Sequence, residues 1–493
     1  MSALLQRLDR ADSVRREVAL LTTQKHKAEF GQFMTPSSVA RFMASLFPAS
    51  ANAKCRLLDA GAGVGALSCA FLDRWKAGGF GFQTVEAFAY EIDEKLRGHL
   101  ARHLSAYDGV EPHIIAGDFI LLNTQGDLLN LGGYTHAILN PPYKKINSGS
   151  LHRQALRTMG IETVNLYSAF VALAVVLAAP GGQIVAIIPR SFCNGPYYRP
   201  FRDFILAYAA LRHMHLFESR TKAFKDDNVL QENIVIRLER GGEQGPVTVS
   251  TSTDDSFSDL VTHSHPFERI VFPDDSERFI HVPTSTAKSI IELSAGVTHS
   301  LADLGMTVST GPVVDFRLKE HLRDMPEPGT VPLLYPGHFN LNGTEWPKPE
   351  AKKPNAIQHT PDTAKWLYPN GYYCVVRRFS AKEERRRIVA SVVDPSAFGS
   401  AKMLGFENHL NLFHQNKNGL PRSLANGLAA FLNSTAVDEN FRRFNGHTQV
   451  NATDLKLIKY PSRKALMDLG EWAISQPSLT QAMIDDQFEK IST

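Results

Sequence analysis

The sequence predicts a doubly wound α/β fold, a mostly parallel seven-stranded sheet, followed by a C-terminal α+β domain. Three observations predict it. Over roughly the first 240 residues short apolar runs alternate with helical patterns, the mark of a parallel sheet covered on both faces. A glycine turn, Asp59-Ala60-Gly61-Ala62-Gly63-Val64-Gly65, stands between the first of those runs and the helix after it. Past Gly241-Gly242 the alternation stops: the chain turns polar (TSTDDSFSD) and then proline-rich (MPEPGTVPLLYPGHF, WPKPEAKKPNAI). The expected domains are 1–242, with a helical segment over about 1–30, a bridge over 243–300, and a second domain over 301–493.

Taken in order, PSSVARFMASLFP spaces Val39, Phe42, Met43, Leu46 and Phe47 at helical intervals, with Ser37 or Ser38 to cap it and Pro48 to stop it. CRLLDAGAGVG is a strand running into the turn, and ALSCAFLDRW is the helix that leaves it. VEAFAYEID is a second strand, with a helix from about Glu94 to Leu104 behind it. PHIIAGDF and YTHAILN are the third and fourth strands. An apolar helix over 166–179 precedes the strand QIVAIIP, and YRPFRDFILAYAA is a further helix. LRHMHLFES and ENIVIRLER form a closing pair.

Composition bounds the function classes. Hydrophobic residues at 43% and charged residues at 21% suit a globular chain with a core that needs no staples. A net charge of +3 does not demand a nucleic-acid partner, yet it permits a local basic face. The four cysteines are scattered, at 55, 69, 193 and 374, with no C-x-x-C pair and no histidine cluster. That argues against structural zinc, predicts no metal, and suits a reducing cytoplasm. The charged start, MSALLQRLDRADSVRREVALL, is neither a signal peptide nor a membrane span, and LYSAFVALAVVLAAP is too short to cross a bilayer.

The glycine turn has G-x-G-x-G spacing rather than the dinucleotide G-x-G-x-x-G, and it begins with an acid. Asp59 suits a cationic amine, not a pyrophosphate. Glu91, at the end of the second strand, can accept both hydroxyls of a ribose. After the third strand, Asp118 can accept from an adenine amino group while Phe119 stacks on the ring. Amine, ribose and adenine without phosphates describe S-adenosylmethionine, so the fold expected is Rossmann-like, of the class that binds this cofactor.

The fourth strand ends at Asn140-Pro141-Pro142-Tyr143, on the same edge. An exocyclic base amine is a weak nucleophile because its lone pair is delocalised. Asn140 Oδ1 and the Pro141 carbonyl can hold its two N–H groups and turn the lone pair toward a methyl sulfonium, with the prolines keeping both oxygens in place. Tyr143 offers a stacking face. A base in a duplex must flip out to arrive there, and Phe224, in the loop between the closing strands, is a second candidate ring.

These motifs together resemble the gamma-class DNA adenine-N6 methyltransferases of type II restriction–modification systems. FGQFMTP at 30–36, LLDAGAGVG at 57–65, NPPY at 140–143 and AFKDDNVLQENIVIRLER at 223–240 stand in that family's order. VSTGPVVDFR, LLYPGHF and FNGHTQVNATDLKLIKYP also resemble segments of such methylases. The resemblance implies that Thr35 and Pro36 help hold the methionine part of the cofactor. Asp59, Gly61 and Gly63 line it, Glu91 meets the ribose, and Asp118 and Phe119 meet adenine. It gives Phe224 the flipped base to stack on, and it makes the C-terminal half a target-recognition domain. Asparagine in place of serine in the tetrad favours adenine over cytosine N4.

DNA reading needs phosphate contacts for position and base-edge contacts for sequence. VVRRFSAKEERRRIV supplies Arg377 and Arg378, with Lys382, Arg385, Arg386 and Arg387 behind them. NFRRFNGHTQVN supplies Arg442, Arg443, Asn445, His447, Gln449 and Asn451, and Lys144 and Lys145 follow the tetrad. His338 is expected to be structural or to touch DNA. The activity expected is transfer of a methyl group to adenine N6 at a short duplex site, by a monomer, shielding that site from a partner endonuclease. The competing readings are a cytosine-N4 enzyme, an NPPY enzyme acting on RNA or on a protein glutamine, a fused nuclease–methylase, and a DNA-binding relative without activity.

Overall fold

A computed structural model describes residues 2–21, 34–50, 52–124, 133–218, 232–273, 275–286, 294–340, 343–350, 352–381, 384–445 and 448–492. The chain forms two compact units, Met1–Thr286 and Ala287–Thr493.

The first unit contains, in chain order, α1 (Ser2–Leu21), α2 (Ser37–Ser45), β1 (Lys54–Ala60), α3 (Ala66–Arg74), β2 (Thr84–Glu91), α4 (Glu94–Leu104), β3 (Val110–Ala116), α5 (Phe119–Thr124), β4 (Tyr134–Leu139), α6 (Leu151–Thr158), α7 (Leu166–Leu177), β5 (Ala178–Pro189), α8 (Arg199–Tyr208), β6 (Ala209–Phe217), β7 (Asn233–Arg240), β8 (Val247–Ser252) and β9 (Val261–His265). The strands make one sheet in the order β3-β2-β1-β4-β5-β7-β6-β8-β9. β3, β2, β1, β4 and β5 run parallel, and β7 is antiparallel to both of its neighbours.

Adjacent residues of each central strand serve opposite cores, as a pleat requires. Leu58, Leu139 and Ala186 face a core built on α7 and α8. Leu57, Ile138 and Val185 face another, built on α2, α3 and α4. Burial on both faces makes these strands read as unbroken apolar runs. β1 and β4 are neighbours, paired Leu57 to His136 and Leu58 to Ala137, yet the chain leaves them toward opposite sides of the sheet order. Their carboxyl ends therefore bound a crevice, the place where such sheets take ligands.

Three features differ from expectation. The sheet has nine strands, not seven, because the stretch read as a bridge (243–300) supplies β8 and β9. β8 reads Val-Thr-Val-Ser-Thr-Ser and looked polar, but its hydroxyls are satisfied inside: Ser250 Oγ lies 2.8 Å from His213 Nε2 and 2.9 Å from His215 Nδ1. Residues after β9 also add Ile270, Ile280 and Val282 to the core, so the first unit ends at Thr286 rather than at 242. At α2, Pro36 holds the N-cap position, and Ser38 donates to Asp255 (2.7 Å) instead of capping.

The second unit is α+β. A four-stranded sheet has the order β11 (Thr307–Thr310), β21 (Leu410–His414), β18 (Tyr373–Arg377), β19 (Ala390–Val393). A five-stranded sheet has the order β12 (Leu322–Arg323), β16 (Ala356–Gln358), β13 (Thr330–Leu334), β20 (Met403–Phe406), β17 (Leu367–Pro369). Two short pairs join β10 (Val297–His299) to β22 (Tyr460–Pro461), and β14 (Phe339–Asn340) to β15 (Gly343–Thr344). Helices α9 (Arg422–Leu432), α10 (Thr435–Phe444), α11 (Ala452–Leu457), α12 (Arg463–Ser475) and α13 (Gln481–Ser492) complete it. α9 and α12 touch backbone to backbone: a Cβ on Gly427 would stand 1.7 Å from the Leu466 carbonyl oxygen, and one on Gly470 equally close to that of Ser423.

The four cysteines are buried and unpaired. No described helix is long and apolar enough to cross a membrane.

Candidate active site

The turn after β1 is bent by glycine. Gly61, Gly63 and Gly65 have φ of +75°, +57° and +89°, a region that L side chains enter only with strain. Gly61 and Ala62 both donate to the Tyr90 carbonyl at 2.9 Å, tying the turn to β2. Gly63 N–H donates to Glu91 Oε2 (2.7 Å) and Asp93 N–H to Oε1 (2.8 Å), so the carboxylate is fixed while each oxygen keeps a lone pair for another donor. Burial raises the Glu91 pKa against those two hydrogen bonds.

Asp59, one residue before the end of β1, is 1% exposed. Ser68 Oγ donates to its Oδ2 at 2.6 Å, while Oδ1 is buried with no partner among the described residues. Burial pushes the carboxyl up to about 7, with the nearby charge of Glu91 adding to the shift. Such a group is poised to gain from a cation.

Asp118 begins α5. Its Oδ1 accepts from Leu121 N–H (3.0 Å), and its Oδ2 lies 2.7 Å from His152 Nε2. The acid expected for adenine is thus shared with a histidine that the sequence reading did not single out. Phe119 meets Tyr90 edge-on and Phe170 at a tilt, both with centroids 5.0 Å apart.

Asn140 follows β4 directly. Its Nδ2 donates to Thr35 Oγ1 (3.0 Å), and its Oδ1 accepts from Tyr143 OH (3.2 Å). The same hydroxyl lies 3.3 Å from the Ile187 carbonyl, and burial raises its pKa, so it stays neutral. The tetrad is clamped from behind: Leu166 N–H donates to the Lys144 carbonyl and Ile146 N–H to that of Val164, both at 2.8 Å.

Thr35, Gly61, Gly63, Glu91, Asp118 and Phe119 line one cavity of about 390 Å³, and Asn140, Pro142 and Lys144 share its wall. That volume is in the range of cofactor sites. Asp59, Pro36, Pro141 and Tyr143 are not on the wall; Pro36 instead caps α2, accepting Ala40 N–H at 2.9 Å. Lys144 and Lys145 are exposed. Phe224 lies outside the described residues. His152, Leu166 and Phe170 join the wall without any motif to announce them; only the folding of α6 and α7 over the sheet edge brings them there.

In the second unit the cationic stretches divide. Asn445, expected at DNA, is 1% exposed. Its amide donates to the Gln449 carbonyl and to Asp454 (both 3.0 Å) and accepts from Arg387 (2.8 Å), so no donor is left for a base. Asn451, likewise expected at DNA, is half-buried and makes a capping box with Asp454 at the start of α11. Arg387 is buried, and Arg386 donates to the Ser434 carbonyl (2.8 Å). For Asn445 this is a correction with a plain cause: the side chain is consumed by its own fold. Arg442 pairs with Asp438 (2.8 Å), Arg443 is half-buried, and Arg377 pairs with Glu384. Arg378 reaches Gln449 at 3.4 Å. His447 lies outside the described residues. His338 is 2% exposed, with Nδ1 accepting from Tyr335 N–H and Nε2 on Asn355. Among the described residues no acid, histidine and cysteine group could hold a metal.

A family model described as Eco57I restriction-modification methylase matches residues 101–224. The type II methyltransferase M.BsuBI of Bacillus subtilis is 52% identical over 478 residues, covering 95% of each chain. The type II methyltransferase M.PstI of Providencia stuartii is 42% identical over 470 residues, covering 93% of this chain and 92% of that one. Among solved structures, the type IIL restriction–modification enzyme MmeI in complex with DNA shares the fold at a TM-score of 0.52 and 10% identity, over 100% of this chain and 75% of that one.

Proposed function

The chain belongs to the type II methyltransferases of restriction–modification systems, and from that premise we propose that it methylates N6 of an adenine flipped out of a specific duplex site. S-adenosylmethionine supplies an electrophilic methyl group on a sulfonium. The residues fit it. Glu91 has lone pairs left for two ribose hydroxyls, Phe119 and Phe170 supply apolar faces for a purine, and Asp59, buried behind the wall, adds a carboxylate whose charge favours a cationic amine nearby.

The observation that carries the proposal is the placement of Asn140, held by Thr35 and Tyr143 on the wall that Glu91 and the glycine turn also line. With its amide nitrogen engaged by Thr35, Asn140 presents Oδ1. On the base's arrival Asn140 Oδ1 takes one N6–H of adenine, rearranging its present hydrogen bonds as needed, and the Pro141 carbonyl takes the second N–H. Held this way by Asn140 and Pro141, the nitrogen would be turned toward tetrahedral geometry with its lone pair directed at the methyl group that the bound cofactor would supply. The nitrogen then loses a proton to solvent. No base acts beforehand, because the neutral amine is the nucleophile. The Tyr143 ring stacks on the everted base, worth about 1–3 kcal/mol against a flipping cost of a few kcal/mol. One chain acts per site, and the product is protected from a partner endonuclease.

Incubation with labelled cofactor and duplex DNA, followed by nucleoside analysis, tests this. N6-methyladenine is the expected product; N4-methylcytosine, or label confined to RNA or protein, overturns the reading.

A further inference from the structure

In the second unit a cavity of about 320 Å³ opens among Tyr335, Lys348, Lys353, Arg377, Phe379 and His409. It forms where three stretches far apart in sequence, at 378–380, 409 and 448–450, meet. Val450 N–H donates to the Arg378 carbonyl (2.7 Å), Ser380 N–H to that of Thr448 (3.0 Å), and Arg378 N–H to that of His409 (2.8 Å). The pairing leaves Phe379 39% exposed, its ring tilted against His409 with centroids 4.9 Å apart.

His409 is held from within. Glu407 is fully buried, and its carboxylate accepts His409 N–H at Oε2 (2.8 Å) and meets His409 Nδ1 at Oε1 (2.5 Å). A carboxylate so placed is costly unless its hydrogen bonds are made, and here both go to a single residue. The backbone beneath is gripped too: a Cβ on Gly311 would stand 2.2 Å from the Glu407 carbonyl oxygen. Nδ1 therefore carries its proton toward Glu407, and Nε2 has no partner among the described residues. Around this pair stand three cations whose acid partners are at least partly exposed: Lys348 with Glu345, Lys353 with Asp315, and Arg377 with Glu384. Such pairs contribute little, so a phosphate can replace the acid at small cost.

We propose that this cavity is a base-reading site for bound DNA. Phe379 stacks on a nucleobase, His409 Nε2 hydrogen-bonds that base's edge, and Lys348, Lys353 and Arg377 receive the neighbouring phosphates. A fixed imidazole confers sequence preference, whereas stacking alone is tolerant of sequence. The proposal rests on the reading of the chain as a DNA methyltransferase and names residues that set its specificity.

The test compares the full-length parent with Phe379→Ala, Phe379→Tyr and His409→Ala, using plasmid DNA and sequencing of modified bases from a host without other methylases. Phe379→Ala raises KM for DNA by about tenfold with kcat and cofactor affinity unchanged, and Phe379→Tyr restores it. His409→Ala widens the methylated motif at one base pair. A KM that does not move, or one that tyrosine does not restore, overturns the stacking role; an unwidened motif overturns the reading role. Failure of the parent to label any DNA would instead strike at the function itself, and the two failures are told apart by that control.

Discussion

Asn140 and Asn445 make the instructive contrast between the two units. Both sit in polar stretches that look made for a nucleic acid. Asn140 is half-buried on a cavity wall, where its amide nitrogen donates to Thr35 Oγ1 and its Oδ1 accepts from Tyr143 OH. Asn445 is buried, its amide N–H groups spent on Gln449 and Asp454 and its oxygen on Arg387. The residue type is the same; a place on a cavity wall, against burial among the fold's own polar groups, decides which one can meet a substrate.

The largest effect that would sharpen this contrast is Asn140→Ala. Loss of the acceptor lowers kcat about 10²–10³-fold or more, while cofactor affinity by calorimetry changes little. Near-normal turnover would break the comparison at its first member. Asn445→Ala does the opposite. It removes one hydrogen bond each from the buried Arg387 and Asp454 and costs about 1–3 kcal/mol of stability per group left unmet, read as a lower Tm. If the folded variant keeps the parent's methylated motif, Asn445 is structural; an altered motif with an unchanged Tm would return it to the DNA surface.

A middle-sized effect concerns pH. Burial raises the folded-state pKa of Asp59 to about 7, so the protein without ligand is favoured by the protonated form, and that contribution is lost as pH rises through about 7. A cationic ligand favours the ionised form. Cofactor affinity should therefore climb about tenfold from pH 6 to pH 8, with proton release on binding at the acidic end. Asp59→Asn flattens the profile; a flat profile in the parent would remove Asp59 from the cofactor's surroundings. The smallest effect belongs to His152. His152→Ala frees Asp118 Oδ2 and removes one side of the cavity wall, and cofactor affinity falls a few-fold, about 1 kcal/mol, with kcat retained. No change in affinity would make the histidine a bystander.

The same contrast governs what could be read early. QIVAIIP was legible as a strand because both faces are buried, and it is the core of β5. β8 was not, because its buried positions include serines whose hydroxyls two histidines satisfy. The glycine turn, Glu91, Asp118 and Asn140 were legible as a set because each closes a strand of one parallel sheet, and parallel strands deliver their carboxyl ends to one edge. His152 and Phe170 ride on helices that cross that edge, and nothing in their local sequence states the crossing.

What the amino-acid sequence determined alone is therefore the backbone chemistry. Left-handed turns need glycine, a rigid acceptor pair needs proline, and fully apolar strands need cover on two faces. What tertiary structure alone decided is the fate of long and polar side chains, whose few hydrogen bonds go either to the fold or to a ligand. Arg387 and Asn445 were spent inward, while Phe379 and His409 were left facing a cavity. A side chain's spacing in the chain says which groups exist, but only their neighbours in space say which of them remain free.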